Sequence, residues 1–217
     1  MTPASLQALD GLRDLTMLKW YVIPLLAIVL YIYAVEINKA RNTGNWNAVF
    51  AGLTIFGMDC INETWNGWVL HLSQRSACWT APGDTALRTM VGWNIEIIFM
   101  FLISGIIYYY TLSENRHDKI LGIPNWWFWA IGYSVFCVFV ECLLNIGGHL
   151  VWEYPWWNRS FGGVWLIFFF GYFHFFVAAL LVIGMKTLRA KVITVVSLYG
   201  IAIIANVITM GILGWRY

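Results

Sequence analysis

Six apolar stretches divide the chain, over residues 19–37, 46–70, 90–111, 126–151, 164–185 and 192–215. A bilayer core about 30 Å thick takes about 20 residues at 1.5 Å each, so every stretch is of spanning length. Polar connections lie between them at 38–45, 71–89, 112–125, 152–163 and 186–191. Backbone groups in lipid must bond within their own segment, which predicts helices rather than strands. Ahead of the first stretch, Leu6, Leu9, Leu12, Leu15 and Leu18 recur every three residues, the pattern of a short amphipathic helix in the membrane interface. Asp10 and Asp14 stand where a secretory signal carries positive charge, so this segment does not read as a cleaved leader. Aromatic pairs mark the span edges: Trp20 and Tyr21, Trp126 and Trp127, Trp156 and Trp157, Trp215 and Tyr217. The expected fold is all-α. It is a single integral-membrane domain over residues 1–217, a multi-pass bundle of six transmembrane helices with an N-terminal interfacial helix.

Composition agrees. The chain is 60% hydrophobic and 18% aromatic, with 11% charged residues, against roughly a quarter charged in soluble domains. Solubility and disorder are both excluded. A net charge of +2 with no basic run leaves no footprint for nucleic acid. The expected partners are membrane lipids and a hydrophobic small molecule. The four cysteines form no CxxC and read as small buried hydrophobes. Lys39, Arg41, Arg116, Lys119, Lys186, Arg189 and Lys191 lie on one set of short loops, denser in positive charge than the other side, but seven against six leaves the orientation open.

The chemistry lies in polar residues inside the spans. Asp59, Glu63, Glu96 and Glu141 fall well within them. An acid at the centre of a membrane helix costs about 2.5–3.5 kcal/mol on insertion scales, so these must face inward, find partners or stay protonated. At about 100° per residue, Asp59, Asn62, Glu63 and Asn66 share one face of the second span. In the fourth, Glu141, Asn145 and His149 recur every four residues, and Glu153 extends the stripe. Asn94 and Glu96 point to nearly opposite sides of the third span, and Glu96 is the one expected to join the cluster. His174 lies in the aromatic run 168–176 and needs a partner across the bundle. Trp65, Trp68 and Trp93 are the indoles nearest these acids.

Acid groups between aromatic walls support general acid–base chemistry on a greasy substrate, because a dry carboxyl can deliver a proton and an aromatic face can stabilise a cation. On this reading Glu63 is the proton donor, tuned by Asp59 and Asn62. Glu141 with His149 is the opposing base, and Asn66, Asn145 and Glu96 position polar groups of the substrate. Neither DDxxD nor DxDD is present, so ionisation of a diphosphate is not expected. No cofactor and no metal site are expected. The first alternative is a small proton- or ion-coupled transporter, for which buried acids and histidines are also suited. The second is a membrane metal or haem protein using His149, Glu153 or His174.

The stretch Asp59-Cys60-Ile61-Asn62-Glu63-Thr64-Trp65, followed by an Asn-bearing third span, resembles the small integral-membrane terpene cyclases of fungal meroterpenoid and indole-diterpene pathways. The resemblance implies an isoprenoid cyclase or isomerase in which a Glu beside a Trp in the second span donates the proton, the place of Glu63 here. This chain departs from that pattern in three ways. Thr64 separates Glu63 from Trp65, residues 192–215 hold no acid, and the family usually has one span more.

Overall fold

The computed structural model describes residues 1–115 and 117–217; Arg116, counted above among the loop charges, lies outside them. The chain is mostly helical. Helix α1 covers Pro3–Asp10, α2 Val22–Thr43, α3 Asn47–Ser73, α4 Ile95–Thr111 and α5 Asn125–Ile146. Helix α6 runs over Phe161–Gly184 with a π-helical segment at Ile167–Phe173, and α7 over Leu188–Ile212 with one at Val207–Ile212. Among the described residues, four helices, α2, α5, α6 and α7, are long and apolar enough to cross a membrane. Helix α3 is longer but too polar to count with them, and α4 has 17 residues.

Local chemistry explains the boundaries. Side-chain oxygens of Asn94, Ser160 and Thr187 accept the first free N–H groups of α4, α6 and α7, which otherwise have no partner within a helix. Helix α2 continues past residue 37 through Lys39 and Arg41, and stops where Gly44 adopts φ +74°. A helix leaving lipid has no reason to end at a charged residue, whereas a glycine free to turn left-handed ends it cleanly. The start of the third stretch is not helical: Arg88–Met90 and Trp93–Asn94 form a two-stranded ribbon across Val91 and Gly92. A second ribbon, Lys119–Ile120 with Ile123–Pro124, turns on Leu121 and Gly122, both at positive φ. The fourth stretch ends as a helix at Ile146, where Gly147 and Gly148 break it.

The expected N-terminal interfacial helix is cut short. Helix α1 stops at Gly11, Arg13 has φ 59° and its N–H donates to the Arg88 carbonyl at 2.7 Å, and Leu15–Met17 form a single 3-10 turn. Pairing with the ribbon outcompetes continuation of the helix, although Leu6, Leu15 and Leu18 remain exposed.

Helix α3 is the hub, packed against α4, α6 and α7. Its approach to α4 requires small residues: a Cβ on Gly105 would lie 2.3 Å from the Ala51 carbonyl oxygen. Such contacts substitute van der Waals packing for the hydrophobic drive that lipid removes. Two loops, residues 74–87 and 147–160, close one end of the bundle. They are joined by reciprocal hydrogen bonds between Thr80 and Val151 at 3.0 and 2.7 Å. The Glu153 carboxylate ties this lid to the N-terminus, accepting from Thr2 Oγ1 at 2.5 Å and Ser76 Oγ at 2.6 Å.

Candidate functional site: an acid-lined cavity beside the central helix

The i, i+3, i+4, i+7 face of α3 turns inward as its spacing predicts. Asp59, Asn62, Glu63 and Asn66 are all at most 5% exposed. Glu141 of α5, 9% exposed, joins Asp59 and Glu63 around one cavity. The centre of a water molecule has about 90 Å³ to move in there, enough for several waters or a small chemical group. The remaining wall is almost wholly apolar and aromatic. Trp79 and Gly92 come from the lid side, Ile97, Met100 and Phe101 from α4, and Phe136, Cys137, Val140 and Leu144 from α5. Leu150, Trp157 and the α6 residues Gly171, Tyr172 and Phe175 complete it. Met100, Phe136 and Leu144 are exposed on the outer surface, so the cavity opens sideways between α4 and α5.

Each acid is held by one aromatic donor, Glu63 facing the Asn66 amide as well, and among the described residues no cation pairs with any of them. Trp93 Nε1 donates to Asp59 Oδ2 at 2.8 Å, Trp79 Nε1 donates to Glu63 Oε1, and the Tyr172 hydroxyl addresses Glu141. That leaves Glu63 Oε2 and Glu141 Oε2 buried without a hydrogen-bond partner. Orphaned buried polar atoms are rare in native structures and call for an explanation. Around Glu63 the indoles form a wall: Trp79 stacks on Trp157 with centroids 5.5 Å apart, and Trp65 meets Trp79 edge-on at 5.0 Å. Gly92 makes room for this arrangement, because a Cβ there would sit 2.5 Å from Trp79 Nε1 and 2.6 Å from Asn66 Nδ2.

The other residues singled out by sequence go elsewhere. Asn66 clamps the lid, accepting from Cys78 N at 2.8 Å and Trp79 N at 3.2 Å and donating to the Trp79 carbonyl at 2.8 Å. Glu96 accepts from Tyr21 and Thr85 hydroxyls and the Ala86 N–H, an outer pin between α2, the lid and α4. Asn94 caps α4 and Asn145 donates to the Leu150 carbonyl at 2.9 Å, closing the turn after α5. His149 is exposed beyond that turn, because Gly147–Gly148 end the helix before the four-residue stripe can continue. The opposing-base pair of Glu141 with His149 is therefore not assembled, and Glu153 serves the lid instead. Trp68 is packed on the opposite side of α3 from the cavity, among Leu70 and Tyr217.

His174 finds the cross-bundle partner its surroundings required: Nε2 lies 3.2 Å from Asn62 Oδ1 and Nδ1 lies 3.0 Å from the Phe169 carbonyl. Asn62 also donates to the Phe170 and Gly171 carbonyls, which the π-helical segment leaves free, and accepts from Trp65 Nε1. These residues form the floor of an adjoining aromatic groove of about 580 Å³ between α3 and α6, edged by Trp156, Phe169 and Phe170 and sharing Asn62 and Trp157 with the acid-lined cavity.

Trp79, Trp157 and Tyr172 were not singled out by sequence. The available signal was slight: an apolar Ala77-Cys78-Trp79 patch inside a polar loop, and a Tyr one turn from Phe175 and Phe176. Among the described residues, no three His, Cys, Asp or Glu side chains stand close enough together to hold a metal ion.

Comparison with known proteins places the chain. No solved structure matches it. A protein of Archaeoglobus fulgidus described as an uncharacterized protein is 42% identical over 214 residues, 99% of each chain. A family model described as an uncharacterized membrane protein family matches residues 2–211. With four helices apolar enough to span a bilayer and that match over nearly its whole length, the chain is an integral, multi-pass membrane protein belonging to this membrane protein family.

Proposed function

We propose that the protein is an intramembrane enzyme that acts on a lipid or isoprenoid substrate by general acid–base chemistry, of the proton-initiated cyclisation or isomerisation type. The observation that carries this reading is the pair of unpartnered carboxyl oxygens, Glu63 Oε2 and Glu141 Oε2, on residues that line one apolar cavity open to the lipid side. Burying polar atoms without partners costs about 1–3 kcal/mol each, and a fold that keeps two of them at one cavity keeps them for a ligand. With no cation beside it among the described residues, the apolar walls favour Glu63 as the neutral carboxylic acid, which has a proton to give. Glu63 is the donor, gripped on its other oxygen by Trp79. Glu141 is the carboxylate of the pair: it takes the proton that the substrate cation loses and passes it back to the Glu63 carboxylate, with Tyr172 orienting it. Asp59 lies one turn below Glu63 and is oriented by Trp93. The stacked indoles of Trp79 and Trp157, with Phe101 and Phe175, offer π-faces to positive charge developing on carbon. The resemblance to small membrane terpene cyclases supports the same assignment of Glu63.

Helices α3 and α4 cross the bilayer with the four apolar helices to make a six-span bundle, the acids of α3 facing the cavity and its other polar side chains bonding to the lid and to neighbouring helices.

The test is turnover in lipid nanodiscs with isoprenoid lipids in D2O. Deuterium is expected at a carbon of the product, read by mass spectrometry. Glu63→Gln keeps the shape and the Trp79 contact, and lowers turnover about 10²–10⁴-fold, the usual contribution of a general acid. Equal turnover in Glu63→Gln overturns the assignment.

A further inference from the structure

A third orphan belongs to the same cavity. Trp157 Nε1 is buried without a hydrogen-bond partner, as Glu63 Oε2 and Glu141 Oε2 are, and Trp157 lines the cavity with both acids. An indole N–H only donates, whereas a carboxyl oxygen accepts or, protonated, donates. The complement of one fixed donor and two carboxyl oxygens is a group that accepts and donates through a single small atom. A hydroxyl does both. A ketone or ether only accepts, a hydrocarbon does neither, and a phosphate brings charge and bulk to a site where the described carboxyls face no cation.

The surroundings constrain the rest of the molecule. Beyond these polar atoms the wall is apolar, and the mouth is rimmed by Met100 and Phe136, exposed on the lipid-facing surface between α4 and α5. The wall offers a polar headgroup such as a sugar or a phosphodiester few partners, because apart from the acids and Asn62 it is lined by apolar and aromatic side chains. The neighbouring aromatic groove shares Asn62 and Trp157 with this cavity, but its own polar atoms, both His174 nitrogens, the Asn62 amide and Trp65 Nε1, are already engaged, and neither orphaned carboxyl lines it.

We infer that the cavity binds a long-chain lipid alcohol head first, its hydroxyl among Glu63, Glu141 and Trp157 and its hydrocarbon tail leaving between α4 and α5 into the bilayer. This deepens the proposed function by naming the substrate class, and it rests on that reading of the cavity.

The experiment measures affinity of the full chain in nanodiscs for three probes of one length: geranylgeraniol, its methyl ether and the corresponding C20 hydrocarbon. The alcohol is expected to bind about tenfold tighter than the hydrocarbon, the equivalent of one or two net hydrogen bonds. The ether, which accepts but cannot donate, falls between them. Trp157→Phe removes the N–H and keeps most of the ring, so it weakens the alcohol about fivefold and leaves the hydrocarbon unchanged. Equal affinity for alcohol and hydrocarbon in the wild-type protein overturns the inference, whatever the variant does, and so does a variant that weakens both probes alike. The two readings separate cleanly: alcohol preference without deuterium transfer leaves this inference standing and removes the acid–base chemistry, while deuterium transfer without alcohol preference does the reverse.

Discussion

Replacing Gly92 by alanine adds one methyl group at the point where the lid holds the cavity's indole. The backbone there is not left-handed, so alanine is tolerated locally; the cost is steric. The new Cβ meets Trp79 Cδ1 and Nε1 at 2.5 Å and Asn66 Nδ2 at 2.6 Å, all well inside van der Waals contact. Overpacking of a filled site costs about 1–3 kcal/mol. Moving Trp79 aside also breaks its bond to Glu63, about 1–3 kcal/mol for a buried acceptor, and the reduced entropy of the unfolded chain returns about 0.4–1 kcal/mol. The net loss is about 2–4 kcal/mol, which for a chain of this size lowers Tm by roughly 5–15 °C. Gly200→Ala is the control: its Cβ meets nothing within 4 Å, and removal of a mid-helix glycine raises stability by about 0.5–1 kcal/mol. The assay is thermal unfolding in one detergent, followed by intrinsic fluorescence. In a Trp79→Leu background the Gly92→Ala penalty should fall to less than half. A Gly92→Ala protein that melts with or above the wild type refutes the picture of a Trp79 seated by the absent side chain.

Further outcomes follow from the same geometry. Asn66→Ala strands the Cys78 and Trp79 N–H groups and the Trp79 carbonyl, so stability should fall by about 3–5 kcal/mol, and limited proteolysis should cut first within residues 74–87. Glu141→Gln should leave Tm within a few degrees of wild type while stopping deuterium transfer; a large drop in Tm would make Glu141 a structural residue. Lys19 beside Asp84 holds that carboxyl below the usual carboxylate range. Its small stabilising contribution is therefore present above about pH 4 and is lost as pH falls through the lowered value, so Asp84→Asn should lower Tm slightly at pH 7, flatten the acid limb of a Tm-against-pH curve and converge with wild type at the lowest pH. Met100→Trp with Phe136→Trp should narrow the mouth and slow binding of lipid alcohol in stopped-flow measurements, with less effect on the equilibrium; an unchanged on-rate places access elsewhere.

Much of the helical layout was legible because lipid imposes length and apolarity on whatever crosses it. The face carrying Asp59, Asn62, Glu63 and Asn66 was legible because helical periodicity alone decides which residues of a segment stay together. The same reasoning misplaced His149 and Glu153, since it extended the α5 stripe across two glycines that end the helix. Asn66 and Glu96 were rightly read as unsuited to lipid, but their partners lie in loop backbone and on α2, which no spacing rule reaches. Trp79 and Trp157 were hidden for the opposite reason. A tryptophan in a connection reads as an interfacial anchor, and only tertiary structure shows two of them folded back over a buried acid.

The pairing of each acid with its own aromatic donor bears on how such a chain enters a bilayer. Trp79 follows Glu63 by 16 residues and Trp93 follows Asp59 by 34, so both donors leave the ribosome directly after the helix that needs them. Tyr172 likewise arrives one helix after Glu141. On the proposed six-span reading, a membrane insertase would then release α3 to α4 as one hydrogen-bonded unit and α5 to α6 as another, never leaving a carboxyl without a donor among acyl chains.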